Sequence, residues 1–303
     1  MHDVLEFEVG HRVGKQQLQA AVLQYGRVGR GCDDIVIARG RGGLAVGLFS
    51  AGGTAGLAFG PVVIGTLLMN GWLHWSPVLM IPGVVLGLLM LLLIPKEEPR
   101  TDRRRVKMFD LELFRGPVGQ LTIAGTLRSI SWVAFNNSWP LFLVNHRGLA
   151  TDSGVLFWSL AVLSFSGGLG GIIAGLLEGR FSRQTLVTGT MLLALVPLFA
   201  LFVLPVGSVF YYLAIALAGA LINGGLPLMV VTGQELAPHA VGTASGMLMG
   251  LTWGSAGVLY LGIGALQQTV GILPAMVLSF LTLVPGALLA RRVLIRHGSA
   301  LQQ

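Results

Sequence analysis

Residues 95–116 read PKEEPRTDRRRVKMFDLELFRG and carry seven basic and five acidic side chains. The rest of the chain is of another kind. Its 303 residues are 53% hydrophobic and 11% charged, with a mean hydropathy of +0.77. Soluble domains carry about 25% charged residues, so a deficit this large places most of the chain in lipid. The stretch 95–116 is then a solvated connector between membrane-embedded parts. A span needs about 20 mainly apolar residues. Two candidates precede the connector, at 44–69 and 75–94. Six follow it, at 117–143, 154–177, 185–204, 209–232, 243–266 and 271–290. The expected class is therefore all-α integral membrane, a helical bundle of about eight transmembrane helices. Two of them (43–94) form the end of an incomplete N-terminal half, and a complete six-helix half (117–294) and a short tail (295–303) follow.

Charge supports this count. If the ends of the spans are assigned alternately to two sides, one side holds Arg39, Arg41, the connector's seven basic residues, Arg180, Arg183, Arg291, Arg292 and Arg296. The other side holds Arg147 alone. The positive-inside rule puts the first side, with the connector and the C-terminus, in the cytoplasm. A multi-pass protein of the cell (inner, plasma) membrane is expected, with the lipid bilayer as its surroundings. Trp72 and Trp75 suit an interfacial aromatic belt. The net charge of +7 does not indicate nucleic acid, because the basic residues lie in short loops and not on one soluble face. Cys32 is the single cysteine, which excludes an intrachain disulfide framework.

Residues 1–42 are polar, charged and without steady periodicity. They contain no apolar core of a signal peptide and are expected to be disordered or out of frame. A shift of 199 residues aligns Gly43 with Gly242, Ala45 with Ala244, Gly47 with Gly246 and Gly65 with Gly264. Taken as a repeat, this makes the first span equivalent to the fifth span of the six-helix unit. Four spans would then be missing at the N-terminus.

Three motifs carry a family resemblance. GLAFGPVVIG, Gly56 to Gly65, resembles the G-x-x-x-G-P-x-x-G-G motif in the fifth helix of drug-proton antiporters; Gly56, Gly60, Pro61 and Gly65 fit, and Ile64 replaces a glycine. Gly52, Gly56 and Gly60 share a helix face suited to close backbone contact, and Pro61 removes a backbone donor. GLLEGRFSRQ, residues 175–184, resembles the G-x-x-x-D-R-x-G-R-R loop signature through Gly175, Arg180 and Arg183. Gly179 stands where the aspartate belongs, and Glu178 is its candidate substitute. GQELAPHAVGTASGMLMGLTWGSAG, residues 233–257, is similar to the fosmidomycin-resistance type of efflux carrier. Together these resemble the major facilitator superfamily over residues 38–295, corresponding to helices 5–12 of its usual twelve. The resemblance implies two six-helix halves around a midplane site, alternating access, a small-molecule substrate, a proton as coupling ion, no cofactor, and a monomer if complete. It also implies contact between the first span and the glycine ladder Gly167, Gly171 and Gly175 of the fourth. The partner of the ladder Gly242, Gly246, Gly250 and Gly254 is expected on an absent helix.

Arg128 lies about 16 Å into the third span at 1.5 Å per residue, near the bilayer centre. A charge there costs at least about 2.5–3.5 kcal/mol on insertion scales, so it is expected to face a cavity or a partner. Helical spacing puts Trp132, Phe135 and Trp139 on its stripe and Asn136 at the edge. Three roles stand open for Arg128. It anchors an amphiphilic anion, it pairs with a coupling acid, or it is satisfied by backbone carbonyls at a packed interface. In INGGLPLMV, residues 222–230, Asn223, Gly224, Gly225 and Pro227 invite a break of the kind that marks transporter sites. Thr252, Trp253 and Ser255 are further cavity candidates. The expected substrate-binding set is Arg128, Trp132, Phe135, Asn136, Trp139, Asn223 and Trp253. Proton-coupled efflux of small drugs or amphiphilic metabolites, anions among them, is the leading expectation. An uptake carrier for a sugar or organic anion, and an inactive fragment, are the alternatives. The chain holds no HExxH, GxSxG or GxxxxGK[ST] motif, and His2, His11, His74, His146, His239 and His297 lie outside the spans or at their ends. No enzyme chemistry is therefore expected.

Overall fold

The computed structural model describes residues 42–93 and 111–298. The segment singled out at 1–42 lies outside them except for its last residue. So do residue 94, residues 95–110 of the connector and 299–303 of the tail.

The first span is α1, Gly42–Met69. A 3-10 turn over Leu73–Leu79 leads into α2, Met80–Leu93. No residue of α2 is buried, as suits a helix that is apolar on every side. A short helix α3, Leu111–Arg115, closes the connector and precedes α4, Pro117–Arg147. Then come α5 (Gly154–Leu177), α6 (Arg183–Leu193), α7 (Leu195–Ala200), α8 (Val209–Gly224) and α9 (Leu226–Leu236). The last two spans are α10 (Val241–Ser245), a π-helical turn at Gly246–Leu251 and α11 (Thr252–Val270), followed by α12 (Ile272–Leu281) and α13 (Leu283–Gly298). Several expected single spans are thus interrupted, at Ala194, Gly225, Thr282 and the π-turn. The helix expected to end near 290 continues to Gly298, into the stretch read as a tail.

Seven segments among the described residues are long and apolar enough to cross a membrane. The 31-residue α4 is not one of them. Its place explains why. It packs against α8, α9, α11, α12 and α13, so protein and not lipid meets most of its surface. Thr122, Thr126, Arg128, Ser129, Ser131 and Ser138 on it are all buried. Polar groups at membrane depth belong in the bundle interior. The hydroxyls of Thr122 and Thr126 bond to carbonyls one turn back, while Ser131 Oγ donates to Ser279 O at 2.8 Å. Thr282 Oγ1, at the α12/α13 interruption, donates to Leu127 O at 2.7 Å.

Farther along α4 the bundle core is aromatic. Trp139 is 1% exposed, stacks on Phe135 and Phe142 at 5.3 Å, and donates Nε1–H to Tyr211 Oη at 2.9 Å. Tyr211 also shares a hydrogen bond with Ser159 at 2.8 Å. Interhelical hydrogen bonds in membranes are each worth about 0.6–2 kcal/mol. Tyr211→Phe leaves the Trp139 N–H without an acceptor, so a loss of roughly 1–2 kcal/mol is expected, read as a lower thermal midpoint of the detergent-solubilised protein. An unchanged midpoint would show that the triad adds nothing to stability.

The α1–α5 contact is the most extensive between any two elements, in agreement with what the resemblance implied. It is made through glycines: a Cβ on Gly47 would lie 2.8 Å from Gly171 O, and one on Gly175 would lie 2.6 Å from Leu44 Cα. Small residues permit this approach. The α1 face used is Gly43, Gly47, Thr54 and Ala58, all buried. Gly52, Gly56 and Gly60, expected to make the close contact, have no neighbouring atom within 4 Å of an added Cβ. The correction has a simple cause: helix periodicity carries two small-residue faces on α1, and α5 takes the one beginning at Gly43. Gly65 instead meets the Phe157 ring. Nothing lies within 4 Å of an added Cβ at Gly242, Gly246, Gly250 or Gly254 either.

Candidate functional site

The break foreseen in residues 222–230 is real. Helix α8 stops at Gly224 and α9 starts at Leu226, with Gly225 between them and Pro227 at the first turn of α9. A Cβ on Gly224 would lie 3.3 Å from Gly170 O, so the interrupted backbone is held closely by α5. Beside the break opens a cleft of about 660 Å³. Ser50, Gly53, Thr54 and Leu57 of α1 form one wall, Met249 and Trp253 another, and Asn223 and Leu226 the floor at the break itself.

Arg128 lies behind that floor. It is 0% exposed and does not border the cleft. Its Nη1 donates to Asn223 Oδ1 at 2.9 Å and to Ile222 O at 3.4 Å, and its Nη2 donates to Ser129 Oγ at 3.1 Å. Its Nε has no partner among the described residues. The ion pairs among the described residues are Glu178–Arg183 and Arg183–Glu235, so Arg128 is held by neutral groups alone. Asn223 is 2% exposed, and its Nδ2 points to Gly167 O at 3.5 Å. One carboxamide thus links the guanidinium, the broken helix and the cleft.

The expected site residues fall into two groups. Asn223 and Trp253 line the cleft, and Trp132 packs directly behind, edge-on to Trp253 with ring centroids 6.0 Å apart. Phe135 and Trp139 do not form a cavity wall with Arg128. They are buried in the aromatic core with Phe142, Phe202 and Tyr211. The Asn136 amide is spent on its own helix, donating to Trp132 O at 2.9 Å. Thr252 is buried and its hydroxyl bonds back to Leu248 O. The α1 wall was not anticipated, since in sequence Ser50 and Thr54 look like ordinary small residues of an apolar helix.

A second cluster sits at the end of the bundle that carries Arg291, Arg292 and Arg296. Glu178, at the C-cap of α5, accepts Nε–H of Arg183 at 2.5 Å and the backbone N–H of Gly43, at the start of α1, at 3.0 Å. Arg183 also pairs with Glu235 at the end of α9. The acid one position before Gly179 therefore occupies a bridging place, and Arg180 is exposed.

A multi-pass helical bundle with a discontinuous helix beside a cleft has the build of a secondary membrane carrier. The chain belongs to the Major Facilitator Superfamily, whose sequence profile matches residues 36–261. Over 115 residues it is 33% identical to the uncharacterized MFS-type transporter YfnC of Bacillus subtilis (strain 168), covering 37% of this chain and 27% of that protein. The match thus spans little more than a quarter of the relative's length.

Proposed function

We propose that the protein is a proton-coupled efflux carrier of small drugs or amphiphilic metabolites. It works by alternating access in the cell (inner, plasma) membrane, with its basic end and C-terminus in the cytoplasm. The observation that carries this reading is the cleft at the α8/α9 break, lined across from Asn223 by α1. The efflux direction and the proton rest on the likeness of Gly56, Gly60, Pro61 and Gly65 on that helix to the antiporter motif. The positive-inside bias supports the orientation.

The test is retention of a fluorescent amphiphilic dye by cells producing the full chain. Dye is expected to leave these cells faster than control cells. A protonophore should stop that export and raise cell-associated dye. Gain of substrate that falls when the gradient collapses would reverse the direction and favour the uptake reading. Identical dye retention with and without the protein, shown to be in the membrane, would count against carrier activity of this chain.

A further inference from the structure

We infer that the compound taken by this cleft is an anion, and that the Asn223 carboxamide occupies the Arg128 guanidinium in the anion's place until it arrives. The inference rests on the carrier reading for its site but not for its chemistry.

A guanidinium stays charged in proteins, and a buried charge without a counterion is costly. Arg128 is 0% exposed. It is met by Asn223 Oδ1, Ile222 O and Ser129 Oγ, all neutral. Of the acids among the described residues, Glu178 and Glu235 are engaged with Arg183 at the basic end, Asp152 lies in the turn before α5 and Glu112 in the short helix α3. An arginine needed only for packing would be replaceable by an apolar residue without the cost of a buried charge. Among the described residues this one keeps its charge uncompensated and leaves Nε–H idle.

The route to Arg128 is equally specific. Asn223 is the group that both touches the guanidinium and borders the cleft. Its other hydrogen bond, to Gly167 O, is long at 3.5 Å. It sits two residues from Gly225, where the backbone is already interrupted. Rotation of this one carboxamide opens the guanidinium edge to the cleft. A carboxylate then meets the Nη1 donor that Asn223 Oδ1 held, with Nη2 beside it on the same end of the guanidinium, in the fork geometry that suits it. The apolar part of the ligand rests against Trp253, Met249 and Leu57, which also line the cleft.

The experiment uses the full chain in lipid nanodiscs and isothermal titration with three probes of one shape: 4-phenylbutyrate, 4-phenylbutyramide and 4-phenylbutylamine. The acid is expected to bind at least tenfold more tightly than the amide, and the amine not at all. Asn223→Asp supplies a built-in counterion to Arg128, so it should weaken the acid at least tenfold relative to the amide and raise the thermal midpoint. Arg128→Gln should erase the difference between acid and amide. Equal binding of acid and amide to the wild type overturns the inference, as does no binding of the acid. An acid preference that survives Asn223→Asp overturns it too, and that variant keeps its value even if Arg128→Gln does not fold. Loss of dye export with the acid preference intact counts against the carrier reading alone.

Discussion

Gly170→Val is expected to abolish the folded protein. A Cβ at this position would stand 2.1 Å from Ala220 O and 2.5 Å from Ala220 Cα. Both are backbone atoms of α8, so no flexible side chain can swing aside. The same seam is equally tight from the other helix, where a Cβ on Gly219 would lie 2.3 Å from Leu163 O. Forcing the helices apart would also pull on the Asn223–Gly167 and Gly224–Gly170 contacts next to the break. Overpacking costs about 1–3 kcal/mol where side chains can adjust and more where they cannot. A shift beyond about 3 kcal/mol is a large fraction of total stability. The monodisperse peak in size-exclusion chromatography should therefore fall by more than about tenfold. Gly56→Val and Gly60→Val provide the contrast. They meet no atom within 4 Å, and their folded yield should stay within about twofold of the wild type. If Gly170→Val gives a normal peak, the α5–α8 seam is not as close as described. If Gly56→Val and Gly60→Val keep the fold but stop export, the antiporter likeness gains a functional basis.

The broad class was legible because lipid imposes simple rules. The apolar spans and the alternation of basic ends follow from bilayer thickness and charge placement, whereas the contact between α1 and α5 was implied by the family resemblance, its glycines being suited to close packing. The polar residues of α4 pointed the right way as well. A helix carrying Arg128 amid serines and threonines needs protein around it, and α4 has it. The errors share one cause. Helical spacing tells which residues share a stripe, but not which neighbour that stripe meets. Trp132, Phe135 and Trp139 do lie along one side of α4, yet the neighbours change along the helix. Trp132 meets Gly167 and Trp253, and Trp139 meets Tyr211 and Phe202. Small residues on α1 misled in the same way, since two of its faces are small and only the tertiary partner decides between them. The π-turn at Gly246–Leu251 left no mark in the sequence beyond its glycines, because a single wide turn depends on local hydrogen-bond shifts and not on composition.

Glu178→Ala is expected to release the start of α1 from the six-helix unit. Glu178 joins three elements: its carboxylate accepts the Gly43 N–H at the beginning of α1 and holds Arg183 at the beginning of α6, and its backbone N–H, at the C-cap of α5, donates to Ala174 O. Arg183 extends the link to Glu235 on α9. A carboxylate at a helix N-terminus satisfies an orphan backbone donor and meets the favourable end of the helix dipole. Hydrogen bonds to charged groups are worth about 1.5–3 kcal/mol. Arg183 is 29% exposed on its side chain and Glu178 only 9%, so the ion-pair part is partly screened. A net loss of about 1.5 kcal/mol is expected, enough for a tenfold shift in any equilibrium the clamp controls. The measurement is alkylation of Leu44→Cys by a membrane-impermeant maleimide, in a Cys32→Ser background. The labelling rate should rise about tenfold with Glu178→Ala. Glu178→Gln, which retains an acceptor for the Gly43 N–H but not the ion pair, should fall between. Arg180→Ala should leave the rate unchanged, because Arg180 stands outside the bridge. Labelling at the wild-type rate in Glu178→Ala would show that the glycine contact with α5 holds α1 without the clamp. The acid beside Gly179 would then have no part in setting the conformation.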